Sequence, residues 1–169
     1  MVEIALMTVF PFLAVYTAVI DFLTLRIPNW ISVVGFFLFF VMAVAVFLSP
    51  WIVMWSLLAC VATLIVGIVL FGCGVVGGGD VKFAAMAVLW IGWDKALLFY
   101  LLSAVYGGLI AIVTIYLSQH LRLCPSLKIG FLETPDTPSG IPYGMALGIA
   151  ALQLYLDSPI ITFSVNVLF

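Results

Sequence analysis

Charge is what this 169-residue chain has least of. Asp, Glu, Lys and Arg make up 7% of it against 67% hydrophobic residues, and the mean hydropathy is +1.42. That balance excludes a soluble globular domain and predicts an all-α integral membrane protein, with residues 1–169 forming a single domain. Five Lys and Arg are too few for a basic patch, and a net charge of -2 leaves only a mild preference for cationic partners, so nucleic acid is not an expected partner. Cysteine is scarce as well. Cys60, Cys73 and Cys124 show no C-x-x-C spacing, which removes a zinc ribbon or a redox pair, and no metal or other cofactor is expected. The single His, His120, would have to serve any Ser-His or Cys-His arrangement alone, and a lone loop His is ordinarily just solvated. Glu3 is the sole charge near the start, so the basic n-region of a cleavable signal peptide is missing and the first helix is expected to stay in the mature protein.

Long apolar runs take the place of these features. Between Ile27 and Gly79 there is no Asp, Glu, Lys or Arg, a stretch too long for one helix of about 20 residues and long enough for two, with Ser49-Pro50 as the turn. Apolar runs and their Gly, Pro and charge breaks predict about six transmembrane helices, at roughly 3–22, 30–48, 51–71, 80–93, 96–118 and 140–157. The fourth is short for a full crossing unless Val75 and Val76 or the helix ends contribute, and otherwise it is expected to start inside a cavity rather than at the membrane surface. An even number of crossings puts both termini on one side. Arg26, Lys82, Arg122 and Lys128 fall in or beside the loops of one face and only Lys95 on the other. The positive-inside rule makes the first group cytoplasmic and both termini non-cytoplasmic.

Two acids stand out against this background. Asp80 lies in Gly77-Gly78-Gly79-Asp80-Val81-Lys82 at the mouth of the fourth span, and Asp21 ends the first span. A charged side chain at mid-bilayer costs about 2.5 to 3.5 kcal/mol even on the lower scales, so an intramembrane acid is a functional candidate by default. The charge count places both at the same cytoplasmic face. Two adjacent carboxylates sharing a proton can activate water and donate a proton, which is what hydrolysis of an amide requires. Gly77 to Gly79, without side chains, can adopt positive φ and let a substrate backbone approach closely, or can simply form a flexible turn between helices, and it is Asp80 and Asp21 beside them that favour the first reading. Helix dipoles favour charge on Asp80, at the amino end of its helix, and a proton on Asp21, near a carboxyl end, with Lys82 reinforcing the bias if it turns toward Asp80. Asp94-Lys95 reads as an exposed turn and Asp157 as a helix end. The competing reading is a small transporter or channel subunit using Asp21 and Asp80 as proton or cation sites, but such sites are expected near the midplane rather than at one face.

Gly77-x-Gly79-Asp80-x-Lys82, together with Asp21 followed by Arg26-Ile27-Pro28-Asn29 and a late Ile141-Pro142-Tyr143-Gly144, resembles the type IV prepilin peptidases, which are intramembrane aspartyl proteases of the GxGD type. The resemblance runs from the first span to the sixth. It implies that Asp21 and Asp80 are the catalytic acids, that Gly77, Gly79 and Lys82 shape the site, and that Pro142 and Tyr143 belong to a structural or substrate-facing element. It further implies a multi-pass enzyme of the bacterial inner membrane that works beside pilus secretion machinery. Its substrates would be prepilins and pseudopilins with a hydrophobic helix, from which it removes a short basic leader. The segment between the first two spans is too short for the cytoplasmic domain with paired C-x-x-C motifs that longer members carry. The chain therefore resembles the short peptidases of tight-adherence, Flp-type systems, without the zinc-bearing or methyltransferase part. Glu133 and Asp136, in the long loop before the sixth span, are candidates to attract a basic leader, although Arg122 and Lys128 in the same loop act the other way.

Overall fold

The computed structural model describes residues 2–120 and 141–162, with side chains described at 8–116 and 141–162. Among these residues there are six α-helices and no strand: α1 (Val2–Thr24), α2 (Asn29–Ala45), α3 (Pro50–Gly72), α4 (Gly78–Ile91), α5 (Ala96–His120) and α6 (Tyr143–Tyr155), with a single 3₁₀ turn at Trp93–Lys95. The breaks follow local chemistry. Leu25 and Phe47, both at φ 52°, take the left-handed conformation that turns the chain out of α1 and α2. After Phe47, Leu48 N–H bonds the Ala43 carbonyl at 2.9 Å and closes the end of α2. Pro50 opens α3, where its missing N–H removes no helical bond. Gly74, at φ 72°, ends α3 in the same left-handed manner at lower steric cost.

The segments Pro50–Gly72, Trp93–Tyr116 and Tyr143–Thr162 are each long and apolar enough to cross a membrane, whereas α2 and the Thr8–Thr24 part of α1 are apolar but shorter. Large hydrophobic side chains such as Phe37, Ile68, Leu101 and Ile112 face outward, so the bundle presents an apolar exterior as well as an apolar interior. This is the architecture of a membrane protein.

The shortest of the six except α6 lies at the centre. α4 has 14 residues, so it is about 21 Å long against a hydrocarbon core of about 30 Å, and every residue from Phe83 to Ile91 is buried. It packs on α3, α6 and α2, while α1 packs on α6 and α2, and α5 on α6. Trp90, near the end of α4, stacks on Phe10 of α1 at 5.2 Å and meets Phe39 of α2 edge-on at 5.9 Å, and its indole N–H bonds the Gly35 carbonyl at 2.9 Å. Phe10 also meets Tyr155 of α6 at 4.8 Å. Small residues let the helices close. A Cβ on Gly148 of α6 would stand 2.8 Å from the Ala14 carbonyl oxygen of α1, and one on Gly67 of α3 would stand 2.3 Å from Val81 of α4. Lipid offers apolar groups no less than a helix does, so this close packing, rather than hydrophobic transfer, holds such a bundle.

Candidate active site

The buried face of α1 carries Phe10, Ala14, Thr17 and Asp21, at the four, three and four residue steps that line up one side of a helix. That spacing turns the Asp21 carboxyl inward toward α6, where it is only 4% exposed. The first turn of α6 receives it. The Met145 amide donates to Asp21 Oδ2 at 3.3 Å, and the Gly144 amide donates to the same carboxyl group. Gly144 is closer still, since a Cβ there would stand 2.8 Å from Asp21 Cγ.

Asp80 is the third residue of α4 and is half-buried. Its carboxylate folds back on the Gly77 amide, so it closes the start of its own helix as the acid of a capping box does. The charge on Asp21 acts on Asp80, so the two acids lie within Coulombic reach of each other. Each carboxylate is held by backbone N–H groups at a helix amino end, Asp80 by α4 and Asp21 by α6. The helix-end argument that separated a charged Asp80 from a protonated Asp21 therefore does not distinguish them: Asp21 is near the carboxyl end of α1 but against the amino end of α6.

The glycines act by absence of bulk rather than by unusual backbone. Among the described residues the positive-φ glycines are Gly74 and Gly92, so Gly77 to Gly79 do not use that freedom. A Cβ on Gly77 would stand 2.7 Å from Asp80 Oδ2, and one on Gly79 would stand 3.1 Å from Ile27 Cβ. Lys82 is exposed and its amine donates to Asn29 Oδ1 at 2.8 Å, so it is engaged across the site rather than aimed at Asp80. Pro142 is buried beneath the entrance to α6, while Tyr143 is exposed with its ring edge over Gly107 of α5. Glu133 and Asp136 lie outside the described residues, as do Arg122, Cys124 and Lys128. Asp94 is exposed at the far end of the bundle, and Lys95 bonds the Asp157 carbonyl there. Among the described residues no group of three or more His, Cys, Asp or Glu converges.

Four contacting residues at this site were not assigned these roles from the sequence. Ile27 and Asn29 were visible only as members of a motif, and the amides of Gly144 and Met145 carry no side-chain signal. The one available hint was that Arg26-Ile27-Pro28-Asn29 and Ile141-Pro142-Tyr143-Gly144 are Pro-marked breaks beside apolar runs.

A sequence model of the type IV leader peptidase family matches residues 8–112, from α1 into α5 and including both acids. No curated protein and no solved structure matches the chain significantly.

Proposed function

This chain belongs to the type IV leader peptidase family, and from that premise we propose that it is an intramembrane aspartic endopeptidase using Asp21 and Asp80 as its catalytic pair. The observation that carries the reading is the meeting of these two acids, 59 positions apart by subtraction of their numbers, at the amino ends of α4 and α6. Membership of the family supports peptidase chemistry. The aspartic mechanism is our inference from the site.

A pair of carboxylates holding one proton between them supplies both halves of amide hydrolysis. The ionised acid takes a proton from water as the oxygen attacks the scissile carbonyl. The protonated acid donates to the carbonyl oxygen, and the tetrahedral intermediate collapses as the C–N bond breaks, the leaving amine taking the proton that the first acid gained from water while a gem-diol hydroxyl returns one to the second acid. The backbone donors at Asp21 and Asp80 fix the carboxylates without consuming side chains, so preorganisation comes from helix ends. Gly77, Gly79 and Lys82 shape the approach, and Pro142 and Tyr143 set the entrance of α6.

The substrates we propose are Flp-type prepilins, cut between a short basic leader and a hydrophobic helix at the cytoplasmic face of the bacterial inner membrane. Six crossings with both termini on the non-cytoplasmic side fit the charge count, with Arg26 and Lys82 at the acid end and Lys95 at the other. The lipid bilayer and the pilus secretion machinery are the remaining partners. An ion-transport role for the two acids is less well supported, because they lie at helix ends on one side of the bundle rather than at its middle.

The test is cleavage of Flp-type prepilins by the purified protein in detergent, with Asp21→Asn and Asp80→Asn beside the wild type. Wild-type cleavage after the leader, with both variants folded and inactive, is the expected result. Variants that cut like the wild type would remove the pair from the chemistry.

A further inference from the structure

The helices that bear the two acids are not each other's main supports. α1 packs on α6 and α2, and α4 on α3, α6 and α2. α1 and α4 meet through the Phe10–Trp90 stack, which lies toward the start of α1 and the end of α4, away from Asp21 and Asp80. At the acid end their spacing depends on what stands between them, which is the first turn of α6 and, touching both α6 and α4, the short connection from α1 to α2.

Ile27 of this connection is half-buried and touches two helix ends at once. A Cβ on Gly79 of α4 would stand 3.1 Å from Ile27 Cβ and 3.3 Å from the Ile27 carbonyl oxygen, and a Cβ on Gly144 of α6 would stand 2.7 Å from Ile27 Cδ1. Both glycines are next to an acid, one in sequence to Asp80 and one in space to Asp21. Two residues further on, Asn29 Oδ1 accepts from Lys82 Nζ at 2.8 Å and ties the start of α2 to the first turns of α4. All three sequence motifs therefore converge on one loop.

We propose that the α1–α2 loop is the spacer of the acid pair, with Ile27 as a wedge between the ends of α4 and α6, and Asn29, through Lys82, as a clasp that fixes α4 against it. Ile27 and Asn29 are positioning residues for Asp21 and Asp80, and this role rests on reading those two acids as a working pair. The clasp suits such a task because Asn29 and Lys82 are both exposed. A solvent-facing polar pair adds little to global stability, so its value lies in geometry.

The experiment reads spacing directly and cleavage separately. In the full chain in detergent, with Cys60, Cys73 and Cys124 replaced by Ala, Asp21→Cys and Asp80→Cys are crosslinked by a short bifunctional methanethiosulfonate. The crosslinking rate is then compared with Ile27→Ala, Asn29→Leu, Lys82→Met and the reciprocal swap Asn29→Lys with Lys82→Asn. A rate reduced several-fold in the first three, unchanged melting for Asn29→Leu and Lys82→Met, and recovery in the swap are expected. With the native acids restored, the same three changes are expected to lower kcat for prepilin cleavage about tenfold while KM stays within about twofold. If crosslinking responds but the wild type cleaves no prepilin, the spacer stands and the peptidase reading falls. Crosslinking rates unaffected by all three changes, or wild-type kcat in all three, would overturn the spacer.

Discussion

Gly144 stands so close to Asp21 that a Cβ on the glycine would lie 2.8 Å from the aspartate Cγ and 2.9 Å from its Cβ. Ile27 Cδ1, at 2.7 Å from the same Cβ, is a side-chain end that can yield, but the two Asp21 atoms belong to the carboxyl-bearing carbon chain itself and cannot move without moving the acid. The small residue at the start of α6 is thus part of how Asp21 is aimed. Gly144→Ala is expected to displace Asp21 and to lower kcat on the order of 100-fold, the loss typical of a misplacement of about 1 Å. Prepilin cleavage by Gly144→Ala, measured beside its thermal unfolding, checks this. Wild-type kcat in a folded variant would separate Gly144 from the aim of the acid.

Gly67 and Gly108 offer a matched pair for stability. A Cβ on Gly67 would stand 2.3 Å from Val81 Cγ1, where α3 closes on α4, whereas nothing lies within 4 Å of one on Gly108. Gly67→Ala is expected to destabilise by about 1–3 kcal/mol through overpacking. Gly108→Ala is expected to be neutral or to stabilise by up to about 1 kcal/mol through helix propensity. Thermal unfolding in detergent measures both, and Val81→Ala should restore much of the loss in Gly67→Ala by clearing the obstructing methyl.

These contacts show where sequence reading succeeds and where it stops. The apolar runs and their breaks locate all six helices because each depends on neighbours in the chain. Ser49-Pro50 as the turn into α3 and the shortness of the fourth helix are of that kind. The Asn29–Lys82 bond joins residues 53 positions apart, and the seat of Asp21 against Met145 joins residues 124 apart. No periodicity encodes such pairs. The glycines of α4 were legible as special but not in their manner: their ordinary backbone angles and close neighbours show that missing bulk is what matters. Likewise, the dipole assignment considered only the helix that carries Asp21, and α6 supplies a second helix end that the local sequence cannot reveal.

Tryptophan reports how the bundle sits in lipid. Trp55 meets Trp51 edge-on at 5.6 Å and Trp93 at a tilt at 5.5 Å, forming an outward-facing cluster at the start of α3 and just past the end of α4. Such rings prefer the headgroup level, so this cluster is expected to mark the interface opposite the acids. Trp90 is 1% exposed in the aromatic core. In liposomes, lipids brominated near the headgroup are expected to quench a variant retaining Trp51, Trp55 and Trp93, and to spare one retaining only Trp90. Equal quenching of the two would contradict the central placement of α4.

Cys73 can decide which face holds the acids. It is exposed just after α3, in the connection that leads to Gly77 and Asp80, while Cys60 is buried inside the bundle. With Cys124 changed to Ser, Cys73 therefore reports on the acid end alone. If Arg26 and Lys82 mark the cytoplasmic side, a membrane-impermeant maleimide should label inverted inner-membrane vesicles and leave right-side-out vesicles unlabelled. The argument has a functional consequence, because a leader rich in positive charge is held on the cytoplasmic side by the same bias that orients the enzyme. An acid pair on that face meets its substrate without moving the leader across the bilayer, where each Lys or Arg costs about 2.5 to 3.5 kcal/mol at mid-depth. Labelling confined to right-side-out vesicles would invert the topology and leave the proposed substrate on the wrong side of the membrane.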